Sequence, residues 1–392
     1  MAKVMILGGG FGGLAAAHEL RGRLDSDHEI TLVADKDRFF VGYAKLWDLV
    51  GTRPLTEGTR RLSALDAQGI RFVNARITAI DPSRRAVETS AGSMDADFMI
   101  VALGAAGDRE KLGEAEHGAH DLYDPDRLAV MRSELERLDR GRVILAVLGM
   151  PYVCPPAPYE AAFLVEEHLR RRGVRDRVEV VIATPMPSPL PMAGPDVDEL
   201  VANGLAGQGI DLRTGLPVAE INTRAKIASF ADGTTLDYTL LLGIPGAVPP
   251  AVIAQSPLAG EDGWIWPDPE TGRTAFDGVY AVGDCTAVEN LPRAGVFAEA
   301  LGRAAGTSIA AEIDGGGATP YDGTGYCFLE FNGRRAAALE GKFFEKPTPV
   351  LRMAEPDTET YARKEAFEAE HLWRWLGPDQ RIPRGASDGD QR

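Results

Sequence analysis

The chain has 392 residues, of which 44% are hydrophobic, and it contains 44 glycines, 26 prolines and 5 tryptophans. This composition is too apolar for a disordered chain, and the length favours two or more domains. The 42 basic and 58 acidic residues leave a net charge of −16. That balance argues against a nucleic-acid partner, because phosphate binding needs a clustered basic surface. The three cysteines are too few for a secreted disulfide framework.

The first predicted strand, Val4 to Leu7, begins almost at the first residue, and no export-signal pattern stands before it. We therefore expect a cytoplasmic protein. No run of eighteen apolar residues occurs in the sequence, so no helix is expected to span a bilayer. Peripheral contact with the inner face of a membrane stays open.

A glycine-rich motif follows this strand and precedes a predicted helix. A second strand, Glu29 to Ala34, comes next and ends at Asp35. Such glycines let backbone amides approach a pyrophosphate at the positive end of the helix, while an acid after the second strand takes the ribose hydroxyls. The order strand, glycines, helix, strand and acid predicts a dinucleotide-binding domain, with Asp35 as the ribose ligand. The residues of the motif are Gly8, Gly9, Gly10, Phe11, Gly12 and Gly13.

Two later stretches indicate which dinucleotide binds. Residues 97–105 form an apolar strand, and residues 274–285 form another that delivers Gly283 and Asp284 to a loop. Together with the N-terminal motif, this arrangement resembles the two-dinucleotide-domain flavoprotein superfamily that includes the pyridine nucleotide-disulfide oxidoreductases. The resemblance covers nearly the whole chain and implies an α/β fold with two Rossmann-like domains and bound FAD. The resemblance also implies that five further residues bind the cofactor: Ala102, Gly104, Gly283, Asp284 and Gly295. Gly295 stands at the start of a helix whose N-terminus can stabilise negative charge on the flavin.

The centre of the chain lacks a second glycine motif. In nicotinamide-using members of the superfamily, a strand near residue 145 opens into such a motif, which binds NAD(P)H. Here the strand Arg142 to Leu148 opens into a loop with four prolines: Pro151, Pro155, Pro156 and Pro158. Proline removes backbone N–H donors that a phosphate-binding loop would need. We therefore expect no nicotinamide nucleotide at this loop, and another electron donor.

The same loop carries a cysteine motif. Residues 154–160 read Cys-Pro-Pro-Ala-Pro-Tyr-Glu, which resembles the motif of flavocytochrome c sulfide dehydrogenases and related sulfide:quinone oxidoreductases. In that family this cysteine pairs with one in the C-terminal segment, and the resemblance implies a redox-active disulfide between Cys154 and Cys327 beside the flavin. Cys285 directly follows Asp284 and is expected to be structural. Such a site needs neither a nicotinamide nor a metal.

The resemblance makes two further predictions about the site. Glu160 stands where relatives have a glutamate near the flavin; it either carries protons or acts as a first-turn acid that complements the helix dipole. Gly42 stands where flavocytochromes have the cysteine that bonds covalently to FAD, so we expect the FAD to be non-covalent.

The predicted organisation divides the chain into five parts. Residues 1–110 and 246–315 form the FAD-binding domain, and residues 111–245 form the second Rossmann-like domain with a degenerate NAD site. Residues 316–377 form a C-terminal segment with Cys327 and an amphipathic helix, and residues 378–392 form a disordered tail. The helix carries Phe367, Leu372, Trp373, Trp375 and Leu376, which suit docking on the flavin domain somewhat better than a membrane interface.

Three functions are consistent with these features. The first is an FAD enzyme that oxidises sulfide, a persulfide or a small thiol and passes electrons to quinone or another acceptor. The second is a type II NADH:quinone oxidoreductase, against which the prolines argue. The third is a non-catalytic flavoprotein subunit for electron transfer. The oligomeric state, including a homodimer, stays open.

Overall fold

The computed structural model describes residues 1–113, 119–346 and 348–378. The predicted tail from residue 379 onward lies outside these residues. The helices are α1 Phe11–Arg23, α2 Ala44–Leu49, α3 Leu128–Arg137, α4 Ala157–Arg171, α5 Pro195–Gly207, α6 Ala251–Ala254, α7 Gly295–Asp314 and α8 Thr358–Leu376.

The strands of the described residues fall into six sheets. In chain order they are β1 Lys3–Leu7, β2 Glu29–Ala34, β3 Arg71–Asn74, β4 Ile77–Asp81, β5 Ala86–Thr89, β6 Gly92–Asp95, β7 Phe98–Val101, β8 Ala106–Asp108, β9 Ala119–Asp121, β10 Gly141–Val147, β11 Val178–Ala183, β12 Asp211–Arg213, β13 Val218–Asn222, β14 Ile227–Phe230, β15 Thr235–Asp237, β16 Leu240–Ile244, β17 Gly246–Val248, β18 Val279–Ala281, β19 Thr324–Phe331, β20 Arg335–Lys342 and β21 Val350–Met353.

Two five-stranded parallel sheets organise the molecule. The first has the order β18-β7-β1-β2-β3, and the second has the order β12-β11-β10-β16-β9. Their central strands are apolar because both faces are covered, as expected for parallel sheets. The predicted α/β class with two Rossmann-like units is therefore confirmed. The predicted domain limits stay predictions, although β18 does join the sheet of β1.

The C-terminal segment forms a three-stranded antiparallel sheet, β19-β20-β21, followed by α8. Phe367, Leu372, Trp375 and Leu376 of α8 are buried in the same apolar cluster as the residues of α1 and α7. Trp373 points away, with 68% of its surface exposed. Helix α8 thus packs against α1 and α7 beside the first sheet, as its sequence favoured. Within the described residues, no helix is long and apolar enough to cross a membrane.

Candidate active site

The N-terminal glycine motif forms a tight turn between β1 and α1. Gly8 has a φ of +116°, and a Cβ atom there would lie 2.2 Å from the carbonyl oxygen of Ala102. A Cβ on Gly13 would lie 2.0 Å from the carbonyl oxygen of Gly8. Only glycine is compatible with such close backbone packing. By contrast, a Cβ on Gly10 would meet nothing within 4 Å, so this side of the turn is open to a ligand.

Helices α1 and α7 cross at two glycines, which brings both helix starts to one place. A Cβ on Gly302 would lie 2.2 Å from the carbonyl oxygen of Gly12. The contact draws the N-terminal end of α7 against Phe11, whose ring lies 2.8 Å from the Cβ position of Gly295. Two helix N-termini, each with a partial positive charge, therefore face the same space.

That space is a cavity of about 660 Å³ between the two sheets and the C-terminal segment. Eleven of the predicted cofactor-binding and catalytic positions line it together with the two cysteines, whereas Gly8 and Gly13 lie behind the turn and serve its packing. The eleven positions are Gly9, Gly10, Phe11, Gly12, Asp35, Ala102, Gly104, Glu160, Gly283, Asp284 and Gly295.

Two acids lie at different points of the cavity wall. Asp35 is exposed directly after β2, where a ribose ligand is expected. Asp284 follows β18. Burial raises the pKa of its carboxyl group to about 6, although the charge of Arg293 acts to lower that pKa. Within the described residues its side-chain carboxylate accepts no hydrogen bond, while Arg293 donates to the Asp284 backbone carbonyl at 3.1 Å. An unpartnered carboxylate in a cavity wall suits a ligand with hydroxyl groups.

Cys154 lies in the loop between β10 and α4, with a φ of +57°. Its backbone N–H donates to the Arg293 carbonyl at 2.7 Å, which ties this loop to the segment after Asp284. Burial and the charge of Glu160 raise the pKa of the Cys154 thiol to about 12.

Cys327 lies in β19 and lines the same cavity. Its thiol pKa is raised well above the usual value, first by burial and then by the charge of Cys154. The two sulfurs are thus close enough for their charges to interact. Both are free thiols here, so the structure contains no Cys154–Cys327 disulfide.

Cys285 differs from the other two cysteines. It is fully buried and does not line the cavity, and its Sγ contacts the carbonyl oxygens of Val282 and Val101 at 3.3 and 3.5 Å. These features fit a packing role, as the sequence indicated.

The proline loop leaves few backbone donors at the start of α4. The Ala157 N–H donates to the Cys154 carbonyl at 2.9 Å, and the N–H groups of Tyr159 and Glu160 both donate to the Pro156 carbonyl at 3.1 Å. Pro158 has no N–H. The first turn of this helix therefore offers no free donor to a phosphate, unlike the glycine turn before α1.

Glu160 belongs to a buried network of charges. One carboxylate oxygen accepts from the Lys364 ammonium at 2.7 Å, and the other accepts from the backbone N–H of Glu330 at 3.0 Å. Lys364 also donates to the Glu330 carboxylate at 2.7 Å, and the Trp47 indole donates to the same oxygen at 2.8 Å. Burial raises the pKa of Glu160, whereas Lys364 lowers it. Because Glu330 lies three residues after Cys327, the network joins the helix that follows Cys154 to the strand of Cys327.

Sequence reasoning missed Lys364 and Glu330. The signal for Lys364 is its position three residues after Tyr361 and three before Phe367, on the buried face of α8. A lysine on an apolar helix face needs a buried anionic partner. Glu330 is the equivalent in β19, where it stands between the buried Leu329 and Phe331.

The cavity fits FAD by two observations. The glycine turn leaves open space at Gly10 between two helix N-termini, which suits a pyrophosphate. The unpartnered Asp284 carboxylate suits a polyhydroxyl chain. A comparison with protein families agrees: the profile described as pyridine nucleotide-disulphide oxidoreductase matches residues 2–302. The chain belongs to this family and binds FAD.

Two related sequences and one solved structure show which proteins of known name this chain is similar to. The mitochondrial sulfide:quinone oxidoreductase of Mus musculus is 23% identical over 305 residues, which cover 74% of this chain and 66% of the mouse protein, just under two thirds of its length. A type II NADH:quinone oxidoreductase of Staphylococcus saprophyticus is 22% identical over 300 residues, covering 73% and 74% of the two chains. The solved sulfide:quinone oxidoreductase of Aquifex aeolicus superposes with a TM-score of 0.84 at 22% identity, covering 96% and 92%. The resemblance found in the sequence is confirmed, and the fold is that of the Aquifex enzyme.

Proposed function

We propose that the protein oxidises sulfide, or a persulfide or small thiol, through Cys154 and Cys327 and passes the electrons through FAD to quinone or another acceptor. The observation that carries this proposal is the meeting of these two cysteines, from distant parts of the chain, in the cavity lined by the nucleotide-binding glycines. The named sulfide:quinone oxidoreductase relatives support it.

The proposed chemistry starts from a Cys154–Cys327 disulfide. Hydrosulfide attacks one sulfur, which breaks the disulfide bond and leaves a persulfide on one cysteine and a thiolate on the other. A second hydrosulfide or thiol removes the zero-valent sulfur, and both cysteines are then thiols. Oxidation of these thiols back to the disulfide releases two electrons. FAD supplies this chemistry as a two-electron acceptor that can reduce a quinone.

The chain's own residues have distinct parts in this scheme. Gly42 lines the cavity where a covalent flavin link would need a cysteine, which supports non-covalent FAD. Glu160 carries a raised pKa and lies in the cavity wall, which suits proton transfer near the cysteines. Its bonds to Lys364 and Glu330 also support a positioning role. We propose a cytoplasmic enzyme that meets its quinone by peripheral contact with the membrane.

The two competing functions differ in their donors. A type II NADH:quinone oxidoreductase needs a nicotinamide site, for which the first turn of α4 has no free N–H donor. A non-catalytic flavoprotein would need no reactive cysteines at its flavin.

Anaerobic mixing of the FAD-loaded protein with sulfide or NADH tests the proposal. We expect sulfide to bleach the visible absorbance of the flavin while an equal concentration of NADH leaves it unchanged. Bleaching by NADH alone would refute the proposal in favour of the second function, and no bleaching by either donor would favour the third.

A pair of serine substitutions tests the cysteine assignment. Cys154→Ser should keep bound FAD and lose its reduction by sulfide, because serine cannot form the disulfide. The matched control is Cys285→Ser, which replaces a buried cysteine outside the cavity and should keep both properties. Undiminished reduction in Cys154→Ser would remove Cys154 from the mechanism.

A further inference from the structure

Lys45 of α2 places a cation in the wall of the cavity that contains Cys154. Its ammonium donates to the Tyr123 carbonyl oxygen at 2.9 Å and lies 5.0 Å from the centre of the Tyr123 ring. An ammonium has three N–H donors, and within the described residues this is the single hydrogen bond that the Lys45 ammonium makes. The remaining donors are free for a ligand or a side chain of the cavity.

In the part of the chain that the structure describes, the ammonium also has no counter-ion within salt-bridge distance. Asp121 and Asp124 are the carboxylates whose charges act on it, and Arg109 binds both, at 2.7 Å to Asp121 and 3.5 Å to Asp124. Within the described residues, no carboxylate lies within 4.0 Å of the Lys45 ammonium. Burial lowers the pKa of Lys45 to about 8, and Asp121, Cys154 and Asp124 oppose this change. A partly buried cation without a partner is costly unless an anion joins it.

Tyr123 connects Lys45 to the cysteine loop. Its hydroxyl donates to the carbonyl oxygen of Val153 at 2.8 Å, and Val153 directly precedes Cys154. Its backbone N–H donates to the Asp121 carboxylate at 2.7 Å. Tyr123, which is partly buried, thus contacts the ammonium through its backbone carbonyl and the loop of Cys154 through its hydroxyl, so one residue links the two.

The other charges around Cys154 leave a need for such a cation. Burial disfavours a thiolate at Cys154, and so do the charges of Glu160 and Asp284. Lys364 favours it, but that lysine is already bound to the carboxylates of Glu160 and Glu330.

We propose that Lys45 is the positioning cation that pairs with the thiolate of Cys154 and so stabilises anionic sulfur in the cavity. This inference rests on the proposed function, in which Cys154 is one of the two reacting cysteines, and it names the residue whose positive charge pairs with the Cys154 sulfur. An opposite charge within several ångströms favours the ionised form of a thiol, and the thiolate is the reactive form. Lys45 therefore raises the fraction of Cys154 that can react near neutral pH.

The test measures thiol reactivity without using sulfide. The FAD-loaded protein is reduced with a dithiol, freed of it anaerobically, and alkylated with iodoacetamide between pH 6 and pH 9, with Cys154 modification followed by peptide mass spectrometry. Lys45→Met should slow alkylation of Cys154 at pH 7 by about tenfold or more. Lys45→Arg keeps the charge and should stay within about threefold of the original rate.

A matched control and two contrary outcomes complete the design. Lys111→Met removes another lysine that donates to backbone carbonyls but does not line the cavity, and it should leave the rate unchanged. An unchanged pH profile in Lys45→Met would overturn the inference, and so would loss of FAD with an unchanged rate, which would make Lys45 a cofactor ligand. If Lys45→Met folds poorly, an equal loss of rate in Lys45→Arg would overturn it. Failure of sulfide to reduce the flavin, with the Lys45 effect present, would refute the proposed function alone.

Discussion

The buried network around Lys364 gives a prediction whose size follows from the structure. The Lys364 ammonium is fully buried and lies 2.7 Å from the carboxylates of both Glu160 and Glu330, which are themselves buried. Lys364→Met removes the cation and leaves two carboxylates facing each other without compensation. Breaking a buried pair by removing one partner costs about 3–5 kcal/mol. We expect a loss of this order in the free energy of unfolding at pH 8.

The loss of stability in Lys364→Met should depend on pH, in a direction set by the protonation of the buried carboxylates. Burial raises the pKa of Glu160 above its unfolded value. The folded state then binds more protons than the unfolded state in the window above pH 4.5, so stability falls as pH rises through that window. Without Lys364 the pKa of Glu160 rises further, and the window widens towards neutral pH. The deficit of Lys364→Met should therefore be smaller at pH 5 than at pH 8.

Guanidinium denaturation of the FAD-loaded protein, followed by tryptophan fluorescence at both pH values, measures this difference. Lys342→Met is the matched control, since its lysine is 63% exposed, and it should change stability by less than about 0.5 kcal/mol. A triple variant with Lys364→Met, Glu160→Gln and Glu330→Gln removes the uncompensated charges and should recover part of the loss. Equal deficits at pH 5 and pH 8, or no recovery in the triple variant, would refute this account of the network.

Two further substitutions test the nucleotide-binding half of the cavity. Gly302→Ala places a Cβ 2.2 Å from the Gly12 carbonyl, which forces α1 and α7 apart, so FAD should be lost on gel filtration; an FAD content equal to that of the unsubstituted protein would contradict this. Asp284 has a pKa raised to about 6 by burial, so the FAD-free protein should lose stability as pH rises from about 4 to 6. Asp284→Asn should remove that part of the pH dependence, as thermal melts in the absence of FAD can show.

The sequence was informative where local backbone geometry determines a residue's place. The glycine turn, the turn with Asp284 after β18 and the proline loop with Cys154 each form within a short segment, and each lies where the pattern indicated. The partners of these segments depend on how distant elements pack. Lys364 binds Glu160 because α8 packs against α1 and α7 beside the first sheet. The Lys45 ammonium lies in the cavity wall, where it donates to the Tyr123 carbonyl oxygen.

Such contacts leave only a weak mark on the sequence. Lys364 is detectable as a charge on an apolar helix face, but nothing in its neighbours indicates which two carboxylates it binds. The sequence predicts that Glu160 either carries protons or complements the helix dipole. The structure adds a third role, because the Glu160 carboxylate accepts a hydrogen bond from the backbone N–H of Glu330, in the strand of Cys327. The sequence did not indicate the Arg293 contact that ties the Cys154 loop to the Asp284 segment, because it forms between backbone atoms.

The central claim is that Cys154 and Cys327 form the redox pair, and thiol mapping of the oxidised, FAD-loaded protein tests it most directly. Alkylation under denaturing conditions before and after anaerobic addition of sulfide, followed by peptide mass spectrometry, shows which cysteines are thiols. We expect a Cys154–Cys327 disulfide with Cys285 as the one labelled thiol, and we expect sulfide to open the disulfide as the flavin bleaches. Three labelled thiols in the oxidised protein, or bleaching by sulfide with unchanged labelling, would contradict the claim.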